Sequence, residues 1–182
     1  MKRPRRYAAS MTDQVESPQG QMDAWLDAIS GAQRGRPGTP AGEAWGAFLR
    51  AHASLMRVLD NELLRGADLS LSDFDVLVQL GIAKGARLRM SELARKTLIS
   101  RSGMTRRAGQ LEERGLVARQ PDVADRRSVM ITLTDAGAVV LQRALPVHFS
   151  GINAHFLDRL TDEELASLRD VLDKVVIDCD FG

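Results

Sequence analysis

The 182-residue chain has a single cysteine, Cys179, and nowhere a run of about 18 consecutive apolar residues. One thiol cannot close an internal disulfide and does not make a metal cluster, and the absence of long apolar runs argues against a membrane span. The first ten residues, MKRPRRYAAS, are basic, but no apolar stretch follows them. The expectation is a protein without a secretory signal, working in the cytoplasm. Internal repeats are also lacking. No Ser-His-Asp order, phosphate-binding glycine loop or dinucleotide fingerprint occurs, which speaks against an enzyme. His148 and His155 stand seven apart with no matching further ligand, so neither zinc nor any other cofactor is expected.

Net charge is nearly absent too, at +1, but this total conceals a segregation. Residues 84–127 carry 12 Arg and Lys against 5 Asp and Glu, residues 43–83 carry 3 against 6, and residues 135–182 carry 4 against 9. A basic middle between acidic flanks is a common footprint of a nucleic-acid-binding module on a non-binding scaffold, although a solvated arginine-rich face gives the same count.

Apolar periodicity supplies the elements. Residues 1–20 are polar and read as a disordered arm, in which Lys2–Arg6 either adds phosphate attraction or is simply a solvated tail. Met22, Trp25, Leu26 and Ile29 recur at helical spacing, and the Gly- and Pro-rich stretch 31–42 reads as a linker. From Glu43 to about Leu64 a stripe of Trp45, Phe48, Leu49, His52, Leu55, Met56, Leu59 and Leu63 predicts a long amphipathic helix with Gly66 as its C-cap. His52 in this stripe is read as a core histidine or one that meets a symmetry mate. Ser72 is the expected N-cap of a second helix through Leu80. Ser91 opens a short helix and Ser100 caps another that runs to Arg114 and stops at Gly115. Two helices so joined form a helix-turn-helix. Leu116–Gln120 and Val129–Leu133 read as a β-hairpin around a polar turn. Thr134 caps a long helix to Phe156, kinked at Pro146, and Thr161-Asp-Glu-Glu164 is a capping box opening the last helix. The fold class is mainly α with a small β-wing. The segments are 1–42 (extension and linker), 43–70 (a long helix), 71–134 (winged helix-turn-helix) and 135–182 (C-terminal helices).

With Met104, Ala108 and Leu111 turned inward, Arg101, Ser102, Thr105 and Arg106 face outward from the N-terminal half of the second helix of the pair. That half is the part of a helix-turn-helix that enters a major groove, where Arg suits guanine and Ser or Thr suits phosphates or either base edge.

The succession Leu111-Glu-Glu-Arg-Gly115-Leu-Val-Ala-Arg119, Asp122-Val-Ala-Asp125-Arg126-Arg127 and Leu133-Thr134-Asp-Ala-Gly137 resembles the MarR family of winged-helix regulators, over residues 43–178. The resemblance implies a homodimer interlocked through its first and last helices, with 43–70 the dimerisation helix and 135–182 the C-terminal dimerisation helices, bound to a pseudo-palindromic operator on double-stranded DNA and released by a small molecule. It places Asp125, Arg126 and Arg127 on the wing, with Arg127 in a narrow minor groove and Asp125 orienting it. A local Asp125–Arg127 ion pair is the plainer role. Ala124 departs from the family pattern, which often has Arg there.

A narrower likeness is to the urate-responsive branch, of the PecS and HucR type. That branch has an N-terminal helix bearing a Trp, matched by Trp25, and an Asp early in the second core helix, matched by Asp75. It also has arginines matched by Arg107, eight residues before Gly115, and Arg119, four after it. The likeness implies an effector site of Trp25, Asp75, Arg107 and Arg119 for a purine such as urate. The arginines would supply planar donor forks, the Trp a wall, and Asp75 a carboxylate repelled by the bound anion. Each residue also has an ordinary role: Asp75 as a favoured acid in a first helical turn, Arg107 as a phosphate contact, Arg119 as an ion pair at the wing base and Trp25 as a hydrophobic anchor. The alternatives are a regulator of the same fold answering to phenolic or aromatic acids, and a helical adaptor that binds no DNA. Cys179 lies away from the family's reactive cysteine, so no redox switch is expected.

Overall fold

A computed structural model describes Gly20, Met22 and residues 35–122 and 128–175. The arm 1–19, Trp25 and its helix, the wing residues Asp125, Arg126 and Arg127, and Cys179 lie outside the described residues. The chain forms two compact units, residues 1–51 and 52–182.

In the first unit the helix α1 (Pro40–Ala67) begins, three residues earlier than its apolar stripe suggests. Thr39 explains the start. Its hydroxyl accepts from the Gly42 N–H at 3.1 Å, and Pro40 follows it, where a missing N–H costs nothing. Trp45 and Phe48 stack at 5.9 Å, yet Trp45, Phe48 and Leu49 are all exposed.

In the second unit α1 ends, followed by α2 (Leu71–Ile82), β1 (Arg87–Arg89), α3 (Met90–Lys96), α4 (Arg101–Glu113), β2 (Val117–Pro121), β3 (Val129–Leu133), α5 (Asp135–His155) and α6 (Asp162–Leu172). Only Leu59 and Leu63 of α1 are buried; His52 is exposed, so it is not a core histidine. The left-handed residue after α1 is Asp68, not Gly66. Gly66 is instead a contact point, where an added Cβ would come within 2.9 Å of the Val147 side chain on α5. Ser70, not Ser72, caps α2, its hydroxyl accepting from the Asp73 N–H at 3.1 Å. α3 starts at Met90 with no side-chain cap, one residue ahead of Ser91. Ser100, Thr134 and the Thr161–Glu164 box cap their helices as expected, and Gly115 takes the left-handed conformation (φ 72°) after α4. α5 continues through Pro146 as one helix.

The sheet has the order β1-β3-β2, antiparallel throughout. β1 adds a third strand to the expected hairpin. Its three residues alternate exposed, buried, exposed, with Leu88 paired to Ile131, too short a run to announce itself by periodicity. Pro121 ends β2 on the sheet's edge, where it disturbs no ladder. Leu77, Leu80, Leu93, Met104, Leu111 and Ile131 are fully buried and join α2, α3, α4 and the sheet in one core.

The last motif glycine has a packing reason. Thr134 donates to the Gly115 carbonyl at 2.7 Å, which draws the first turn of α5 against the α4–β2 connection. A Cβ on Gly137 would then overlap the Leu116 carbonyl oxygen, a backbone atom that cannot rotate away. Gly137→Ala is therefore expected to cost about 1–3 kcal/mol, read as a lower urea midpoint at unchanged slope.

Candidate nucleic-acid interface and effector cluster

α4 has two chemically distinct sides. Met104, Ala108 and Leu111 are fully buried, while Arg101, Ser102, Thr105 and Arg106 are exposed. The Thr105 hydroxyl donates to the Arg101 carbonyl at 3.0 Å, so what it offers outward is acceptor capacity and a methyl group. Among the described residues, Arg101 and Arg106 form no ion pair. In front of them a hollow is lined by Arg89, Met90, Ser91, Arg101, Thr105, Ser128 and Val129, between the start of α3, the first turns of α4 and the foot of the wing.

The foot of the wing is braced. Arg89 Nε donates to Asp122 Oδ2 at 2.8 Å, and the Asp122 N–H bonds the Ser128 carbonyl at 2.9 Å, closing the hairpin below its turn. Asp122 is buried, which makes this pair less screened than an ordinary surface bridge. Sequence reading passed over both residues, because Asp122 looked like one more acid of a polar turn.

Behind α4 the proposed effector residues separate into two groups. Arg107 Nη1 donates to Asp73 Oδ1 at 2.6 Å and to Ser70 Oγ at 3.4 Å, so its direct carboxylate partner is Asp73. Asp75 is near enough for Arg107 and His148 to attract its charge. His148 lies against the Phe74 ring at a centroid distance of 4.4 Å, and its Nδ1 is buried without a hydrogen-bond partner. Arg119 is committed elsewhere. Its Nε donates to Glu112 Oε2 at 2.6 Å and its backbone N–H to Glu112 Oε1 at 3.1 Å, the wing-base ion pair. These bonds from Arg119 hold the Glu112 carboxyl below its ordinary value. Asp75, Arg107 and His148 are thus brought together, while Arg119 sits over the far end of α4.

Burial acts on Asp75 and His148 in opposite senses. It raises the Asp75 carboxyl, although the residue is open on one side, against the attraction of His148 and Arg107. It lowers the imidazole of His148, against the attraction of Asp75. Both shifts favour the neutral forms.

A three-helix head with a three-stranded wing, an outward basic helix face and a braced wing foot define a winged helix-turn-helix DNA-binding protein. The model of the MarR family matches residues 67–128. An uncharacterised HTH-type transcriptional regulator of Bacillus cereus is 34% identical over 117 residues, 64% of this chain and 76% of the relative. The regulator PecS of Dickeya dadantii is 32% identical over 132 residues, 71% of this chain and 78% of PecS. Among solved structures, the MarR family regulator Sco3205 of Streptomyces coelicolor, crystallised in complex with DNA, aligns with a TM-score of 0.72 at 33% identity, over 74% of this chain and 84% of its own. The chain belongs to the MarR family of winged-helix transcription regulators, and it is a DNA-binding regulator rather than an enzyme.

The opposed shifts at Asp75 and His148 give a pH signature. Because the native imidazole binds its proton less readily than the unfolded one, acidification through about pH 6.5 protonates the unfolded chain first and removes stability until the lowered native value is passed. The raised Asp75 works the other way at lower pH, where the native state takes up the proton first. His148→Phe, which keeps the ring against Phe74, is expected to lose less stability than the parent between about pH 7.5 and 5.5, by urea unfolding at each pH. Parallel pH curves would show that His148 does not titrate against the fold.

Proposed function

We propose that the chain is a homodimeric repressor that holds a pseudo-palindromic operator through Arg101, Ser102, Thr105 and Arg106 of α4 and Asp125, Arg126 and Arg127 of the wing. A purine such as urate, taken up by Trp25, Asp75, Arg107 and Arg119, releases it. The observation that carries the reading is that Arg107 turns back to the start of α2, where Asp73 takes it at 2.6 Å and Asp75 lies within its electrostatic reach, while Arg101 and Arg106 of the same helix face outward. An anion attracted to Arg107 repels Asp75, and a shift of α2 or α4 changes how the basic face is presented. The ligand has to prefer the conformation that releases DNA, and a coupling of about 1–3 kcal/mol, roughly 5–150-fold in operator affinity, gives a useful response. The likeness of Trp25, Asp75, Arg107 and Arg119 to the urate-responsive branch supports the choice of ligand class. Dimerisation is supported by apolar residues left exposed in each unit: Trp45, Phe48 and Leu49 in the first, and Phe149, Val171 and Val175 in the second.

Three measurements test this. Urate titrated into a protein–operator complex is expected to release the DNA, with salicylate as the aromatic-acid control; no urate binding at about millimolar concentration removes the purine ligand. Arg127→Ala is expected to weaken operator binding by about 1–3 kcal/mol with urate affinity unchanged, by gel shift and calorimetry. Asp75→Asn is expected to keep DNA binding but blunt the urate response, and an undiminished response places the switch elsewhere.

A further inference from the structure

Asp73 occupies the third position of α2, from which an acid ordinarily reaches back to the N–H of the capping residue. Here the nearby helix-start donors have other acceptors. The Leu71 N–H bonds Asp60 Oδ1 of α1 at 2.8 Å, and the Asp73 N–H bonds Ser70 Oγ. The Asp73 carboxylate crosses to α4 instead. One oxygen takes Arg107 Nη1 at 2.6 Å, and the other lies 3.9 Å from Arg114 Nη1. Residue 107 and the C-cap residue 114 are about two helical turns apart on one side of α4, and their long side chains converge on this single carboxylate. Arg114 is tied further to the α1–α2 turn, donating from Nη2 to the Asp68 carbonyl at 2.5 Å.

This arrangement supplies what the apolar contact lacks. The buried stripe of α4 is Met104, Ala108 and Leu111, a flexible side chain, a small one and only one branched residue. Such a stripe fixes which side faces inward but resists rolling weakly. The Arg107 bond to one carboxylate oxygen is directional, and the Arg114 guanidinium adds a second charge 3.9 Å from the other oxygen; the side chains of Asp73 and Arg107 are 15% and 24% exposed, against 63% and 69% for the surface pair Asp170–Arg169.

We propose that Asp73 is a positioning residue that sets the roll of α4 against α2, and that an anionic effector reaching Arg107 acts by taking the place of the Asp73 carboxylate. The second clause rests on the purine reading above. Displaced from Arg107, Asp73 loses its shorter bond, Arg114 keeps its anchors at the Asp68 carbonyl and carboxylate, and α4 is free to turn its basic face away from the groove.

The test compares two duplexes of equal length at about 0.15 M salt: one selected from a random pool by the parent protein, and a scrambled one. Affinities are corrected for the active fraction. Asp73→Asn is expected to lose about tenfold or more on the selected duplex and to stay within about twofold on the scrambled one, because phosphate attraction does not depend on helix roll. Asp73→Glu is expected to restore most of the loss. Arg114→Gln, which leaves Asp73 and its cap contacts intact, is expected to show the same selective loss at smaller size, and it decides the matter if the Asn variant does not fold. Equal losses on both duplexes, or none on the selected one, overturn the positioning role. With urate at about 1 mM, operator affinity of the parent is expected to fall while that of Asp73→Asn falls no further. A parent blind to urate removes the purine reading and the displacement clause and leaves the roll to the duplex ratio. A variant that responds as fully as the parent overturns the displacement clause alone.

Discussion

The recognition helix must be held from behind without using up its front, and the rest of the molecule is arranged around that constraint. α4 carries four arginines between residues 101 and 114, and each falls on one of two sides. Arg107 and Arg114 turn back to Asp73 and Asp68; Arg101 and Arg106 turn out. The division follows from the period of the helix. Residues 104, 108 and 111 fix the buried stripe, 107 and 114 flank it, and 101, 102, 105 and 106 fall on the remaining arc. Ser100 caps the helix start and Gly115 stops the chain where β2 must begin, so the elements on either side meet a helix of fixed length.

The same division changes what the charge segregation means. Seen as composition, the acidic flank 43–83 is a scaffold that stays away from DNA. In the structure two of its acids neutralise the arginines that do not face outward, and within the basic segment Glu112 does so for Arg119 and Asp122 for Arg89. Four of the basic residues of the middle segment are therefore structural. The charge available to a phosphate backbone is smaller than the count in the sequence: among the described residues of the segment, Lys84, Arg87, Arg95, Lys96, Arg101 and Arg106 are exposed without an ion pair. Arg101 and Arg106 are the two on the outward arc of α4, where charge orients a duplex, while charge spread over the segment only attracts it.

Helices, caps and the side of α4 that faces outward were legible because they depend on local pattern. A 3.6-residue period, a Ser or Thr before an apolar run and a Gly after it need no knowledge of the rest of the chain. The three-residue strand β1 was not legible, since Arg87-Leu88-Arg89 is a strand only because Leu88 pairs with Ile131, 43 positions on. Nor was the cap of α2: Ser70 and Ser72 are equally good locally, and Asp60, reaching from α1 to the Leu71 N–H, fixes the start at Leu71. Of the candidate effector residues that are described, Asp75 lies within electrostatic reach of Arg107, and Arg119 is bonded to Glu112 instead. The places of Asp73 and His148 beside these residues were not legible, because what each meets depends on which helix lies opposite, a fact of packing. Two positions separate Asp73 from Asp75 in sequence, and only the packing of α4 and α5 gives the first an arginine and leaves the second beside an imidazole.

That difference between neighbouring acids carries a mechanistic consequence. Asp73 has a short directional bond to a guanidinium and acts as a fixed charge, while Asp75 is raised by burial and held only by the more diffuse attraction of His148 and Arg107. An incoming anion therefore faces two carboxylates of unequal standing. Moving Asp75 works against that diffuse attraction alone, whereas displacing Asp73 breaks its 2.6 Å bond to Arg107. Asp73 is the one of the two with a hydrogen bond to α4, so its exchange acts on that helix directly, whereas movement of Asp75 acts through α2. In the effector reading proposed above, repulsion of Asp75 would accompany ligand entry, and exchange at Arg107 would be the step that moves α4.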